Sequence, residues 1–482
     1  MADIPLSQRP LPQWFEDAKF GIFIHWGLFS IPAFAPKLGK ISDVFKSDYD
    51  RAVALTPYTE WYANAIKVPG SPSAEFHRSN YAEQGYSDFR KPFLDGLTRW
   101  NPEDWARLFK SAGARYVVLV TKHHDGFCLW PSAVPNPYRE NWSSQRDIVG
   151  ELASAVRAQG LNFGVYYSGG IDWTFNPRPL RTFGDFIAST PGGDYPEYAT
   201  RQIHELIDRY RPDLLWNDIS WPGDLKSLKE LLEYYYARVP EGVVNDRWRH
   251  QTPVARALKL PLVRWGFDFM AKRHIRKHPQ SVDGVIPPAI PYSDFRTPEY
   301  ASFEAIQIKK WEATRGMSYS FGFNRNDSEE DYASAGALLG GLIDAVSKHG
   351  NLLLNVGPRG EDAGIPQAQR ERLQKIGAWL EINGAAIYGT HVCSIASGQT
   401  DDGVEVRYTR TAKRLFLILL GRPEGETFRI KGFPGEIGSD FNISSLEGNL
   451  PVGSRLVDGH LELSLEQALS NELVNVLVVT LI

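Results

Sequence analysis

The residues able to do chemistry in this chain cluster at the ends of short apolar runs. They are His25 after FGIFI, His123, His124 and Asp125 after VVLVTK, Asp172 after VYYSGGI, Asp218 after LLWN, and Asp246 and Arg247 after GVVN. Asp218 lies between Trp216 and Trp221. A carboxylate in that setting can serve as nucleophile or base, or it can cap a following helix. In KHHDGF, two adjacent imidazoles titrate near neutrality. They can bind neighbouring sugar hydroxyls, sit as satisfied structural residues, or ligate a metal. The metal reading lacks a further ligand at a recognised spacing, because neither H-E-x-x-H nor C-x-x-C occurs. No G-x-G-x-x-G follows a strand-like run, and there is no Walker motif and no G-x-S-x-G elbow. Acids, imidazoles and indoles without a phosphate loop point to glycoside hydrolysis, which sets two carboxyl groups across the scissile bond.

Side chains at strand ends need strands to position them. Strand-like runs occur at 20–26, 115–126, 161–170, 213–218, 242–248, 317–324 and 351–358, with room for an eighth within 249–300. Most are apolar throughout and turn polar or aromatic at the end, as strands buried on both faces do. Helical segments alternate with them. Asn101-Pro102 opens NPEDWARLFKSAGA with an N-cap, a proline and first-turn acids. The runs 225–239 and 367–382 are amphipathic. This β-then-α order predicts a (β/α)8-like barrel over residues 1–390, whose site forms at the C-terminal strand ends. Past Gly389 the texture becomes short strands joined by Gly, Pro, Asn and Asp. That predicts a C-terminal antiparallel β-sandwich over 391–482.

Composition narrows the partners. In 482 residues, Lys+Arg is 53 and Asp+Glu is 57, a net charge of −4 that leaves no electrostatic footprint for nucleic acid. The 12% aromatic content suits a sugar cleft, or simply an aromatic-rich core. Two distant cysteines exclude a disulfide scaffold. No run of 18 apolar residues predicts a membrane span. The opening residues show no secretory h-region, so the expectation is a cytoplasmic protein. Segment 249–293 is rich in Arg and Lys and ends in VIPPAIP. It reads as an anion-binding or subunit-contact insertion, which leaves a homo-oligomer open, or as a solvated excursion above the barrel.

WFEDAKFGIFIHWGLFSIPAFA, TEWYANAI, NPEDWARLFKSAGARYVVLVTKHHDGFCLWPS, PDLLWNDISWP, VVNDRW and GNLLLNVGPRGED occur in this order. Together they resemble the motifs of the α-L-fucosidases of glycoside hydrolase family 29, over roughly residues 13 to 390. The resemblance implies a barrel with a C-terminal β-sandwich, no metal and no cofactor. It implies an exo-acting, retaining hydrolase that releases terminal α-L-fucosyl residues through a covalent fucosyl-enzyme intermediate. By this resemblance Asp218 is the nucleophile. His25, Glu60, Trp61, His123, His124, Trp216 and Arg247 match fucose-binding positions. Glu299, in DFRTPEY, matches the general acid/base of some members, with Glu304 and Glu312 as fallbacks because 249–293 intervenes. Thr297, Pro298 and Glu299 also read as the start of a helix. Phe23 and Phe34 are candidates for the pocket of the sugar's methyl group. Two other readings stay open: a non-catalytic carbohydrate-binding protein, and a glycosidase for another 6-deoxy or galacto-configured sugar.

Overall fold

A computed structural model describes residues 5–282, 286–435, 441–448, 450–457, 459–467, 469, 471 and 473–481. Val285, at the head of VIPPAIP, lies outside them. Seven strands form one parallel sheet: β1 Phe20–Ile24, β2 Tyr116–Lys122, β3 Asn162–Tyr167, β4 Leu214–Asn217, β5 Val243–Val244, β6 Trp311–Arg315 and β7 Gly350–Val356. Their order is β5-β4-β3-β2-β1-β7-β6. The β1–β7 pairing carries the sheet round, and one gap remains between β5 and β6.

Residues 294–300 fill that gap. Asp294 N donates to Val244 O on β5 at 2.9 Å. On the other side, Arg296 and Glu299 bridge in parallel to Trp311 and Thr314 of β6. The eighth stave expected within 249–300 is therefore present, but as an irregular segment with isolated bridges rather than a regular strand. No helix begins at Thr297, contrary to the cap reading, because these residues run extended along β6.

Every residue of β1, β2 and β7 is buried. Alternation splits them between two layers. Ile22, Val117 and Leu119 face the surrounding helices. Phe23, Val118, Tyr166, Trp216 and Leu353 pack together inside the barrel. One expected strand, at 317–324, is displaced: the strand is WEATR at 311–315. Glu312 interrupts any apolar run there, yet it faces the interior, where Tyr116 and Trp216 satisfy it.

The helices that matter to the site are α1 Ile41–Ser47, α2 Pro102–Ser111, α3 Ile148–Ala158, α4 Tyr195–Tyr210, α5 Leu225–Arg238, α6 Pro261–Lys277, α7 Ala335–Ser347 and α8 Gln367–Asn383. α2 starts as its sequence dictates, with the Asn101 side chain accepting from the N–H of Glu103 and Asp104. After α8, eight antiparallel strands from Ser397 to Leu481 close on themselves around Val406, Tyr408, Leu417, Ile430, Leu461 and Val479. This second unit is braced on the barrel by Arg407, which pairs with Asp344 of α7 at 2.9 Å. Neither cysteine is in a disulfide.

Candidate active site

All nine residues singled out as site candidates line one cavity of about 480 Å³. It opens at the C-terminal ends of the strands. Segments far apart in the chain converge on it, among them those carrying His25, Glu60 and Trp61, His123 and His124, Trp216 and Asp218, Arg247, and Glu299. Of the fallbacks, Glu304 is exposed outside it. Glu312 is buried beneath Trp216, accepting from the indole Nε1 at 3.2 Å and from the Tyr116 hydroxyl at 2.5 Å.

Asp218 follows β4, and its N–H still donates to Tyr167 O at 3.1 Å, continuing the ladder by one residue. The next residue, Ile219, has φ 68°. A β-branched residue in the left-handed region is strained, at a cost on the order of 1–3 kcal/mol. The turn directs the Ile219 N–H onto Asp218 Oδ1 at 2.8 Å. It is crowded from the β3 side, where a Cβ on Gly169 would lie 2.2 Å from Asn217 Oδ1. Asp218 caps no helix, since α5 begins at Leu225 with Asp224 as its cap.

Arg247 links the two carboxylates of interest. Its Nη1 donates to Asp218 Oδ1 at 2.9 Å and its Nη2 to Glu299 Oε2 at 3.1 Å. The guanidinium also lies over the Trp216 ring, 4.8 Å from its centroid. Asp246, the residue before it, grips the eighth stave by accepting from Thr297 N at 3.1 Å and Thr297 Oγ1 at 2.6 Å. That grip sets the stave two residues short of Glu299. Tyr300, just beyond, has φ 47°. Each of the two carboxylates is thus followed by a bulky residue in a left-handed turn.

Burial pushes the Asp218 carboxyl up, but the Arg247 charge and the hydrogen bonds of Tyr166 and Ile219 outweigh it and hold the group below its ordinary range. Glu60 goes the other way. Burial drives it up to about 7, against the N–H of Gly322 that donates to it at 3.0 Å. Burial also lowers His25 and His124 to about 4 and His123 well below its ordinary value, so all three are neutral near pH 7.

Their tautomers follow from hydrogen-bond accounting. Asn355 Nδ2 donates to Phe321 O, which turns Asn355 Oδ1 toward His25 Nδ1 at 2.6 Å. His25 Nδ1 therefore carries the proton and Nε2 accepts. Ser168 Oγ spends its proton on Ile171 O at 2.6 Å, so His124 Nδ1 donates to it. His124 Nε2 is then an acceptor, 4.0 Å from Asp218 Oδ2. His123 Nδ1 is buried with no hydrogen-bond partner among the described residues. His123 as a residue lines the cavity, so a polar group of this ring is left for something other than the protein to satisfy.

Three strand-end acids stay outside the cavity: Asp246, which holds Thr297, and two others. Asp172 forms a buried ion pair with Lys122 at 2.7 Å, and Asp125 accepts from Tyr86 at 2.7 Å. Phe23 lines the cavity, whereas Phe34 stacks on Phe76 elsewhere. Other liners escaped the sequence reading. The Tyr166 hydroxyl donates to Asp218 Oδ2 at 2.7 Å, and the Tyr58 hydroxyl donates to Glu299 Oε1 at 3.1 Å. Tyr166 is the next-to-last residue of β3, so the strand-end rule applied to hydroxyls would have found it. Among the described residues, no group of three His, Cys, Asp or Glu is placed to hold a metal ion.

A family model described as alpha-L-fucosidase matches residues 3–261 and 269–385. The tissue alpha-L-fucosidase of Bos taurus is 32% identical over 436 residues, covering 87% of this chain and 77% of that protein. The Homo sapiens tissue alpha-L-fucosidase is 30% identical, covering 88% and 79%. Among solved structures, the Thermotoga maritima alpha-fucosidase with a mechanism-based inhibitor aligns at TM-score 0.81 with 38% identity over 98% of each chain.

Proposed function

Because this chain belongs to the α-L-fucosidase family of glycoside hydrolases, we propose that it releases terminal α-L-fucosyl residues from fucosylated oligosaccharides or glycoconjugates by double displacement, with retention of configuration. The observation that carries the mechanism is the single guanidinium of Arg247, hydrogen-bonded to both Asp218 and Glu299 within one cavity.

In the first step the Asp218 carboxylate attacks the anomeric carbon. Glu299 gives its proton to the glycosidic oxygen as the C–O bond breaks, leaving a covalent fucosyl ester on Asp218. In the second, Glu299, now a carboxylate, takes a proton from water. That water attacks the anomeric carbon, and Asp218 departs as a carboxylate. Charge stays constant along this path: whenever Asp218 is esterified, Glu299 is ionised. Arg247, touching both, faces one full negative charge throughout. The neutral nitrogens of His25, His123 and His124, with Glu60, Trp61 and Trp216, hold the sugar. A fucose complex is known for the similar Thermotoga maritima enzyme.

Proton NMR of a running hydrolysis tests the reading. The first sugar released is α-L-fucose, which mutarotates afterwards. Appearance of the β anomer first would show an inverting enzyme, with the paired carboxylates misassigned. An inert chain on every α-L-fucoside, with a native fold, would remove the activity altogether.

A further inference from the structure

The cavity continues outward past the two carboxylates, and its outer half has a different character. There its liners are Ile41 and Phe45 of α1, Phe183 and Phe186, Ile275 of α6, and Ile286. Exposure rises along the way: Asp218 is 8% exposed, Phe183 38% and Ile286 45%. The rings form a continuous wall. Phe45 meets Phe183 edge-on at 6.0 Å, Phe183 stacks on Phe186 at 5.9 Å, and Phe186 reaches Trp61 in the sugar site at 6.1 Å. Polar groups on this stretch are few: Thr56, His274 and Ser281.

Helix α6 contributes one side of the wall, and its own Asp268 is the centre of its anchorage there. Asp268 accepts from the Tyr49 hydroxyl, the Thr182 hydroxyl and the Gly184 N–H, each at 2.8 Å. A Cβ on Gly184 would meet the Asp268 oxygens at 2.6 Å, so this close approach requires glycine. Arg264 adds a 3.1 Å pair with Asp185, and Lys272 pairs with Asp50. The match to the family model is interrupted at 262–268, the stretch that carries this anchor.

We propose that this wall is a leaving-group subsite that selects α-L-fucosides with an apolar aglycone. The inference rests on the fucosidase reading above and deepens it. A sugar leaving group presents hydroxyls that need partners, and a wall of Ile and Phe supplies almost none. Removing apolar surface from water next to the glycosidic oxygen instead favours alkyl or aryl groups. The wall contacts the part of the substrate that departs, so it sets which fucoside is cleaved without touching the fucosyl ring.

Methyl, butyl and octyl α-L-fucosides test this with one leaving-group chemistry, since all three release primary or simple alcohols. The expected result is a rise in kcat/KM of about threefold per methylene over the first carbons, the factor that roughly 0.7 kcal/mol of burial gives. Phe45→Ser, Ile286→Ser and Asp268→Ala each cut the octyl-to-methyl ratio at least about threefold. A native melting transition in each variant separates loss of the wall from loss of fold, and Ile286→Ser alters a surface position only. A flat series in the unmodified enzyme overturns the proposal. So does a steep series that all three variants leave unmoved. Inertness toward the alkyl fucosides and toward an aryl fucoside alike overturns the fucosidase reading, and this one with it.

Discussion

The Nη1 of Arg247 donates to Oδ1 of Asp218 at 2.9 Å while Nη2 of the same guanidinium holds Glu299 at 3.1 Å. Two donors on one rigid plane fix the spacing of the two carboxyl groups, which a flexible ammonium cannot do. Arg247→Lys keeps the charge and loses the spacing. We expect kcat on an aryl fucoside to fall on the order of a hundredfold, equivalent to about 2.7 kcal/mol, with KM much less affected. Near-normal kcat in the lysine variant would show that charge alone suffices.

Asp218→Gly removes the proposed nucleophile and leaves room for a small anion. Turnover of aryl α-L-fucosides should fall by at least several hundredfold, with the melting temperature close to that of the parent. Azide should restore turnover and give the inverted product, β-L-fucosyl azide. Activity without azide near that of the parent removes Asp218 from the chemistry.

Glu299→Ala should show leaving-group dependence. A dinitrophenyl fucoside departs almost unaided, whereas a fucosyl oligosaccharide needs its oxygen protonated. The variant should lose far more activity on the oligosaccharide, and the alkaline limb of its pH–rate profile should vanish. Glu312→Ala, acting from beneath Trp216, should slow both substrates alike. Equal, slight losses in Glu299→Ala would move the acid elsewhere.

Glu312 also makes a stability prediction. Burial raises its carboxyl to about 7 from an ordinary 4.5. The folded state then binds this proton more tightly than the unfolded chain. Its contribution is fully present below about pH 4.5 and is lost as pH rises to about 7. The loss is on the order of 3 kcal/mol. Glu312→Gln cannot titrate, so its thermal stability should fall less between pH 5 and pH 8 than that of the parent. Parallel curves for the two proteins would contradict the raised carboxyl.

Chelation should have no effect. The Nδ1 atoms of His25 and His124 are committed to Asn355 and Ser168, and no third ligand stands near the histidines in a metal-binding geometry among the described residues. Dialysis against EDTA should leave turnover unchanged. Activity lost and then recovered with Zn²⁺ or Mn²⁺ would reverse the reading of the histidines.

The parts legible in sequence are those where local pattern and tertiary environment agree. β1, β2 and β7 are buried at every residue, so they read as unbroken apolar runs. β6 does not, because its inward residue is Glu312, and the eye moves on to the aromatic stretch beyond. Strand-end chemistry was readable for His25, His124, Asp218 and Arg247, since a barrel points such residues into one space. Glu299 came from family resemblance, because nothing local marks the stave it sits on. The outer wall was invisible: α1, the short helix Phe183–Ile187 and α6 are brought together by long-range contacts such as Tyr49 to Asp268, more than two hundred residues apart.

The irregular eighth stave gives Glu299, the proposed acid/base, a kind of freedom denied to Asp218. Asp218 is locked by the ladders of β3, β4 and β5, where adding one residue would flip every side chain to the opposite face. Residues 294–300 run beside β6 through four backbone hydrogen bonds, and meet β5 and the residues after it through Asp294, which exchanges two bonds with Val244, and through the grip of Asp246. Residues 286–293, which lead into them, belong to no strand or helix, so an inserted or deleted residue there inverts no ladder. Glu299 is therefore the member of this site whose address along the chain can drift while its place in space is kept.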